Sequence, residues 1–150
     1  MNCDFDSLAR DEHRWRASGA SVVAAVAAGG VIGAEARYGA TVLWPGRPGG
    51  FPYTTFAVNV LGCALIGVAM VVISEMASPS RLLRPFLATG VLGGFTTFST
   101  FCVDAQQLTL GGHTTTALVS LAATPAAALA AVAVTTKATR SVLSGRKGPT

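Results

Sequence analysis

The sequence predicts an all-α membrane protein of four transmembrane helices with no separate soluble domain, and three observations carry that reading. Of 150 residues, 51% are hydrophobic and 12% charged, against about 25% charge in an ordinary soluble domain. The sparse charges leave four long uncharged stretches, residues 17–34, 48–74, 85–103 and 105–136, and a helix needs roughly 20 mostly apolar residues to cross a bilayer. The basic residues flank these stretches instead of clustering. The net charge of +4 therefore bears on membrane orientation and not on nucleic acid. A disordered tail protein and an ordinary soluble enzyme are both poorly matched.

Taken in order, the chain reads as a cytoplasmic amino-terminal tail (1–18), a transmembrane domain (19–136) and a cytoplasmic carboxy-terminal tail (137–150). The four spans are set at 19–43, 51–73, 82–110 and 114–136. Pro45 to Pro52, with Gly46, Gly49 and Gly50, is a turn between the first two spans. Ser78-Pro79-Ser80 separates the second from the third, and Gly111-Gly112 closes the third. Arg14 and Arg16 followed by an alanine-rich run and Ala34-Glu35-Ala36 could pass for a cleavable signal peptide. The acidic tail (Asp4, Asp6, Asp11, Glu12) and the length of the run favour an uncleaved first helix. Cys3, Cys63 and Cys102 show no metal or CxxC spacing and read as small packing residues.

With an even number of spans, both tails and the loop between spans two and three share one side. That side carries Arg10, Arg14, Arg16, Arg81, Arg84, Lys137, Arg140, Arg146 and Lys147, nine basic residues against Arg47 alone in the opposite loops, with Arg37 near the outer end of span one hardly changing the count. The excess places both termini in the cytoplasm of a bacterial-type cell membrane. Gly29 with Gly33, and Gly90 with Gly94, repeat at four-residue spacing. Such pairs let helix backbones approach closely, either within one protomer or across a dimer seam.

Span three contains the densest chemistry, Gly93-Gly94-Phe95-Thr96-Thr97-Phe98-Ser99-Thr100-Phe101. Paired glycines weaken a helix, and freed carbonyls at membrane depth must be buried in protein, line water or coordinate a cation. The alternative is a continuous helix whose hydroxyls bond back to the preceding turn. Phe98 and Phe101, three residues apart, form either a core stripe or ring edges able to face an anion. Thr55 and Asn59 in span two, and Ser120 and Thr124 in span four, each lie four residues apart on one face. Asn59 is either interhelical glue or an uncharged donor to an anion. This polar track holds no Lys, Arg or His at its centre, which suits a small hydrated anion better than a proton relay.

Three segments, GGVIGAEARY (29–38), TFAVNVLG (55–62) and TGVLGGFTTFSTF (89–101), resemble the Fluc/CrcB fluoride channels across all four spans. The resemblance implies an antiparallel dimer of four-helix protomers, the third helix of each broken at mid-membrane, with two fluoride pores and one structural sodium ion at the dimer centre. It implies passive export of cytoplasmic fluoride that entered as hydrogen fluoride. Carried over residue by residue, sodium-coordinating carbonyls fall on Gly93 and Thr96. The ion pathway falls on Asn59, Phe98, Phe101, Thr55, Thr124, Ser120 and Arg37, and an acidic position falls on Asp104. Ser120 stands where many members have tyrosine, Ala128 where a serine is usual, and Glu35 is an added charge that could pair with Arg37, as could Asp104.

An oppositely inserted partner is needed for an antiparallel dimer. The nine-to-one basic bias directs this chain to insert predominantly one way, so a heterodimer with a paralogue is expected beside the homodimer. Two other classes compete. A small multidrug exporter would use an embedded glutamate, for which Glu35 is the candidate, although Arg37 beside it should keep it ionised. A non-transporting membrane subunit would use every polar residue as packing glue. An enzyme would need a nucleophile–base pair or a metal cluster, whereas His13 and His113 sit in a tail and a loop.

Overall fold

A computed structural model describes the backbone of residues 5–76 and 78–146 and the side chains of 19–76 and 78–145. Cys3 and Lys147 lie outside the described residues. Helix α1 spans Phe5–Leu43 and α2 spans Tyr53–Glu75. The third hydrophobic segment opens as a π-helix, Pro85–Leu92, and passes into the short α3, Gly93–Phe95. Helix α4 spans Ser99–Leu110 and α5 spans Thr114–Arg146. The described residues contain no strand. Four segments are long and apolar enough to cross a membrane, Gly19–Leu43, Tyr53–Glu75, Pro85–Leu110 and Thr114–Gly145.

The helices and the apolar stretches do not end together. Helix α1 begins in the charged region before residue 19, and α5 runs on past Lys137 and Arg140. Arg and Lys are good helix formers, so a charge ends a lipid-compatible stretch without ending a helix. Prolines shift two other boundaries. Pro52 lies just outside α2, and Pro85 occupies the first turn of the third segment, where its missing N–H would have no helical acceptor. Pro125 lies inside α5 and has no N–H to give to the Leu121 carbonyl.

Packing follows the small residues. Helix α2 packs most extensively on α5, and α1 on the first half of the third segment. Gly29 meets Gly90 within the protomer, while Gly33 faces the backbone of Val91 and Phe95 and Gly94 that of Gly30. A Cβ on Gly90 would lie 2.9 Å from Gly29 Cα, and one on Gly33 would lie 2.0 Å from the Val91 carbonyl oxygen. The seam is therefore closed by backbone against backbone, where dispersion acts at short range.

Polarity is distributed inside out. Thr54, Thr55, Asn59, Ser120 and Thr124 are buried, together with Val58, Phe101, Ala105, Leu108 and Ala117. Large apolar side chains such as Val31, Leu65, Leu118 and Leu129 are exposed on the outer surface. In hydrocarbon, apolar surface needs no cover, whereas hydroxyls and amides need partners. The buried polar stripe between α2, α4 and α5 is where a site is to be sought.

Candidate functional site

The site is built around residues 96–98, which are not helical and separate α3 from α4. Thr96 turns the chain out of the helix with φ −74° and ψ 157°, and Phe98 returns it to helical values. Such a departure leaves backbone groups to be satisfied from elsewhere. The Thr96 N–H still donates to the Leu92 carbonyl at 3.0 Å, and its hydroxyl donates to the same oxygen at 3.1 Å. Asn59 then takes both backbone groups of Thr97. The Thr97 N–H donates to Asn59 Oδ1 at 2.8 Å, and Asn59 Nδ2 donates to the Thr97 carbonyl at 3.0 Å.

Thr97 closes the other side. Its hydroxyl accepts the Thr100 N–H at 3.1 Å and donates to Thr100 Oγ1 at 2.9 Å, a capping arrangement that satisfies an N–H in the first turn of α4. A glycine lets α2 reach this segment, since a Cβ on Gly62 would lie 2.3 Å from Thr96 Cγ2. Asn59 and Gly62 are three residues apart and share one face of α2.

These diversions free two carbonyls. Helical geometry would aim the Thr97 N–H at the Gly93 carbonyl and the Thr100 N–H at the Thr96 carbonyl. Both N–H groups go to side-chain oxygens instead, and neither carbonyl accepts a backbone N–H among the described residues. Gly93 is exposed on the protomer surface and Thr96 is half-buried. Two under-satisfied carbonyls near one surface are a donor set suited to a hard cation such as sodium. The residues present therefore fit that group.

Arg37 reaches the same region from α1, its Nε donating to the Gly94 carbonyl at 3.2 Å. The expected pairings of Arg37 with Asp104 or Glu35 are absent among the described residues. Asp104 Oδ2 instead accepts the Thr55 hydroxyl proton at 2.5 Å. Glu35 is exposed.

The two phenylalanines separate in a way their spacing conceals. Phe101 is 7% exposed and belongs to the core, whereas Phe98 is 77% exposed on the protomer surface. Their ring centroids are nevertheless 5.8 Å apart with planes tilted by 44°. The Phe98 carbonyl accepts the Cys102 N–H at 3.0 Å, so both rings stand on the first turn of α4 and differ in burial, not in helical face.

Asn59, Phe98, Phe101 and Thr124 line one cleft of about 220 Å³, together with Cys63 and Thr96. Thr124 is 4% exposed. One turn earlier on α5, Ser120 is fully buried and its hydroxyl has no hydrogen-bond partner among the described residues. A second cleft of about 560 Å³ lies between the loop at 46–52 and the end of α4, lined by Arg47, Asp104, Gln107 and His113 among others. His113 packs on Gly49, where φ is +73° and a Cβ would lie 2.4 Å from Nε2. The buried hydroxyls of Thr55, Ser120 and Thr124 occupy the core between α2, α4 and α5.

Three contributors were not singled out by sequence: Thr97 as clamp and cap, Gly62 as the point of close approach, and the Thr55–Asp104 pair. Thr97 carried a usable signal, a threonine just ahead of the apolar run of α4. The other two depend on which helices are neighbours.

The sequence model of the family described as CrcB-like protein, Camphor Resistance (CrcB), matches residues 24–136. A protein named fluoride-specific ion channel FluC 1, from Streptomyces coelicolor, is 57% identical over 133 residues, covering 89% of this chain and 86% of that protein. One named fluoride-specific ion channel FluC 2, from Streptomyces avermitilis, is 60% identical over 116 residues, covering 77% of this chain and 73% of that protein. A further relative from that organism, named FluC 3, is 51% identical over 92 residues, covering 61% of this chain and 45% of that protein. The family match covers the second and third hydrophobic segments whole and most of the first and fourth, and this chain belongs to the CrcB family.

Proposed function

We propose that this chain is one protomer of a passive fluoride-specific channel that lets cytoplasmic fluoride leave the cell and so lowers its toxicity. The observation that carries the reading is the cleft at the interrupted third segment, lined by an uncharged amide, a buried hydroxyl and two aromatic rings. Relatives that share most of the chain are named fluoride-specific ion channels. A strongly hydrated anion enters a protein only if donors replace its water. Asn59 uses one N–H on Thr97 and keeps a second to offer, and the Thr124 hydroxyl adds another, while Ser120, buried one turn earlier, does not line the cleft. None is charged, so the anion is stabilised without being trapped, as conduction requires. The positive edges of Phe98 and Phe101 complete the path.

The channel is an antiparallel dimer. Phe98 and Gly93 lie exposed beside the cleft, and a second protomer against that surface would enclose the pathway and bring two more carbonyls near the first pair. The Gly93 and Thr96 carbonyls would then hold a structural sodium ion. When bound, that ion supplies fixed positive charge at the dimer centre and is not transported. Both termini face the cytoplasm by the excess of basic residues. A partner inserted the opposite way is a paralogue, a reading supported by the FluC 2 and FluC 3 relatives in one organism.

Reconstituted vesicles loaded with fluoride provide the test. The chain, alone or co-purified with an oppositely oriented family member, should give efflux well above empty vesicles, and chloride should not replace fluoride. Efflux no faster than from empty vesicles in both arrangements would reject the channel.

A further inference from the structure

At the end of the molecule opposite Arg47 and His113, a separate cleft of about 300 Å³ lies between the carboxy-terminal end of α2 and the start of the third segment. Its apolar part is made by Ile73, Met76 and Pro79, its polar part by Ser80, Arg81 and Arg84. Both arginines are exposed, and neither guanidinium has a hydrogen bond or ion pair among the described residues. Glu75, the carboxylate nearest in sequence, does not line the cleft. The Ser80 hydroxyl accepts the Leu82 N–H at 3.4 Å and keeps its own proton to donate. Ile73 is 6% exposed and Met76 45% exposed, so the apolar part runs from the helix interface out to the surface.

We infer that this cleft binds the headgroup of an anionic phospholipid of the cytoplasmic leaflet. Two guanidinium groups spaced by three residues present planar forks that match phosphate oxygens, and Ser80 adds a third donor. The adjoining apolar floor receives the glycerol and first acyl carbons. A free inorganic anion would use the arginines and leave Met76 and Pro79 uncovered. Basic pockets between membrane helices on the cytoplasmic side are the setting in which such headgroups are held, and anionic lipid concentrates beside juxtamembrane arginines. The proposal rests on the orientation assigned above, with the loop between spans two and three on the cytoplasmic side. It does not rest on fluoride conduction.

The test uses the purified full-length chain in neutral detergent micelles, with phosphatidylglycerol or phosphatidylcholine added, read by thermal unfolding and by native mass spectrometry. Phosphatidylglycerol should raise the midpoint and leave bound-lipid adducts that phosphatidylcholine does not. The double variant Arg81→Gln/Arg84→Gln should lose the shift, with affinity falling about fivefold for each arginine removed. Arg140→Gln, which removes one charge from the same end outside the cleft, should keep it. Unchanged retention of phosphatidylglycerol by the double variant would overturn the proposal. Equal protection by inorganic phosphate would also overturn it, because the site would then take a free anion. Fluoride efflux separates the remaining outcomes. The double variant should conduct normally in phosphatidylcholine vesicles, and a loss there would assign the arginines to ion entry. Specific phosphatidylglycerol binding by a chain that conducts nothing would reject the channel while leaving the lipid site standing.

Discussion

The side chain of Asn59 makes two hydrogen bonds to the backbone of Thr97, accepting its N–H at 2.8 Å and donating to its carbonyl at 3.0 Å. It supplies to one residue what a helix would otherwise supply. The non-helical stretch at 96–98 is thus specified from a different helix, and the lining of the cleft depends on that clamp.

Asn59→Ala should strand both Thr97 groups and destabilise the protomer by about 1–3 kcal/mol. Thermal unfolding in detergent should show a lower midpoint, and fluoride efflux should fall at least as steeply because a donor of the pathway goes with it. Efflux equal to wild type would return Asn59 to simple packing and favour a non-transporting subunit.

Thr97→Val preserves shape and removes the hydroxyl that caps α4. A loss of about 1 kcal/mol is expected, and Thr97→Ser should restore most of it. Chemical denaturation of the three proteins side by side reads this directly. Equal loss with serine would place the effect in the methyl group.

Phe98 and Phe101 should respond oppositely. Phe98→Ile changes a ring that is 77% exposed on the protomer, so folding of the protomer should be unaltered while efflux slows. Phe101→Ala empties a core position and should cost about 3–5 kcal/mol. Efflux and unfolding measured on both variants separate a pathway role from a packing role.

The glycine seam makes a stability prediction independent of transport. Gly33→Ala would drive a Cβ to 2.0 Å from the Val91 carbonyl oxygen, and overpacking of this kind costs about 1–3 kcal/mol. Gly39→Ala has nothing within 4 Å of its Cβ and should stabilise α1 by about 0.5–1 kcal/mol. Expression level and unfolding midpoint should move in opposite directions for the two.

The nine-to-one distribution of basic residues makes a topological prediction. Reporter fusions at the carboxy terminus should register a single, cytoplasmic orientation. A mixed signal, together with robust efflux from the purified chain alone, would establish a homodimer in place of a pair with a paralogue.

Membrane residence and the number of spans were legible in the sequence because both are local quantities. An unbroken apolar stretch is costly in water wherever it folds, and a charge limits it at a readable position. The four spans set from the sequence accordingly coincide with the four apolar segments of the structure to within a few residues, except that α5 continues through Lys137. The glycine pairs in α1 and the third segment were visible too, but not that Gly29 would meet Gly90 or that Gly94 would meet Gly30. Small residues state that something comes close and leave open what it is.

What tertiary structure alone decided was contact between side chains remote in sequence. Arg37 could have met either Asp104 or Glu35, and it meets the Gly94 carbonyl. Thr55 and Asp104 are 49 residues apart and share a proton-donating bond. Phe98 and Phe101 share the first turn of α4 with ring centroids 5.8 Å apart, as their spacing suggests, and only packing decided that one is 77% and the other 7% exposed. Periodicity determines which face of a helix is buried. Which neighbour occupies that face depends on how closely the backbones approach, and this is decided only when all the helices have packed.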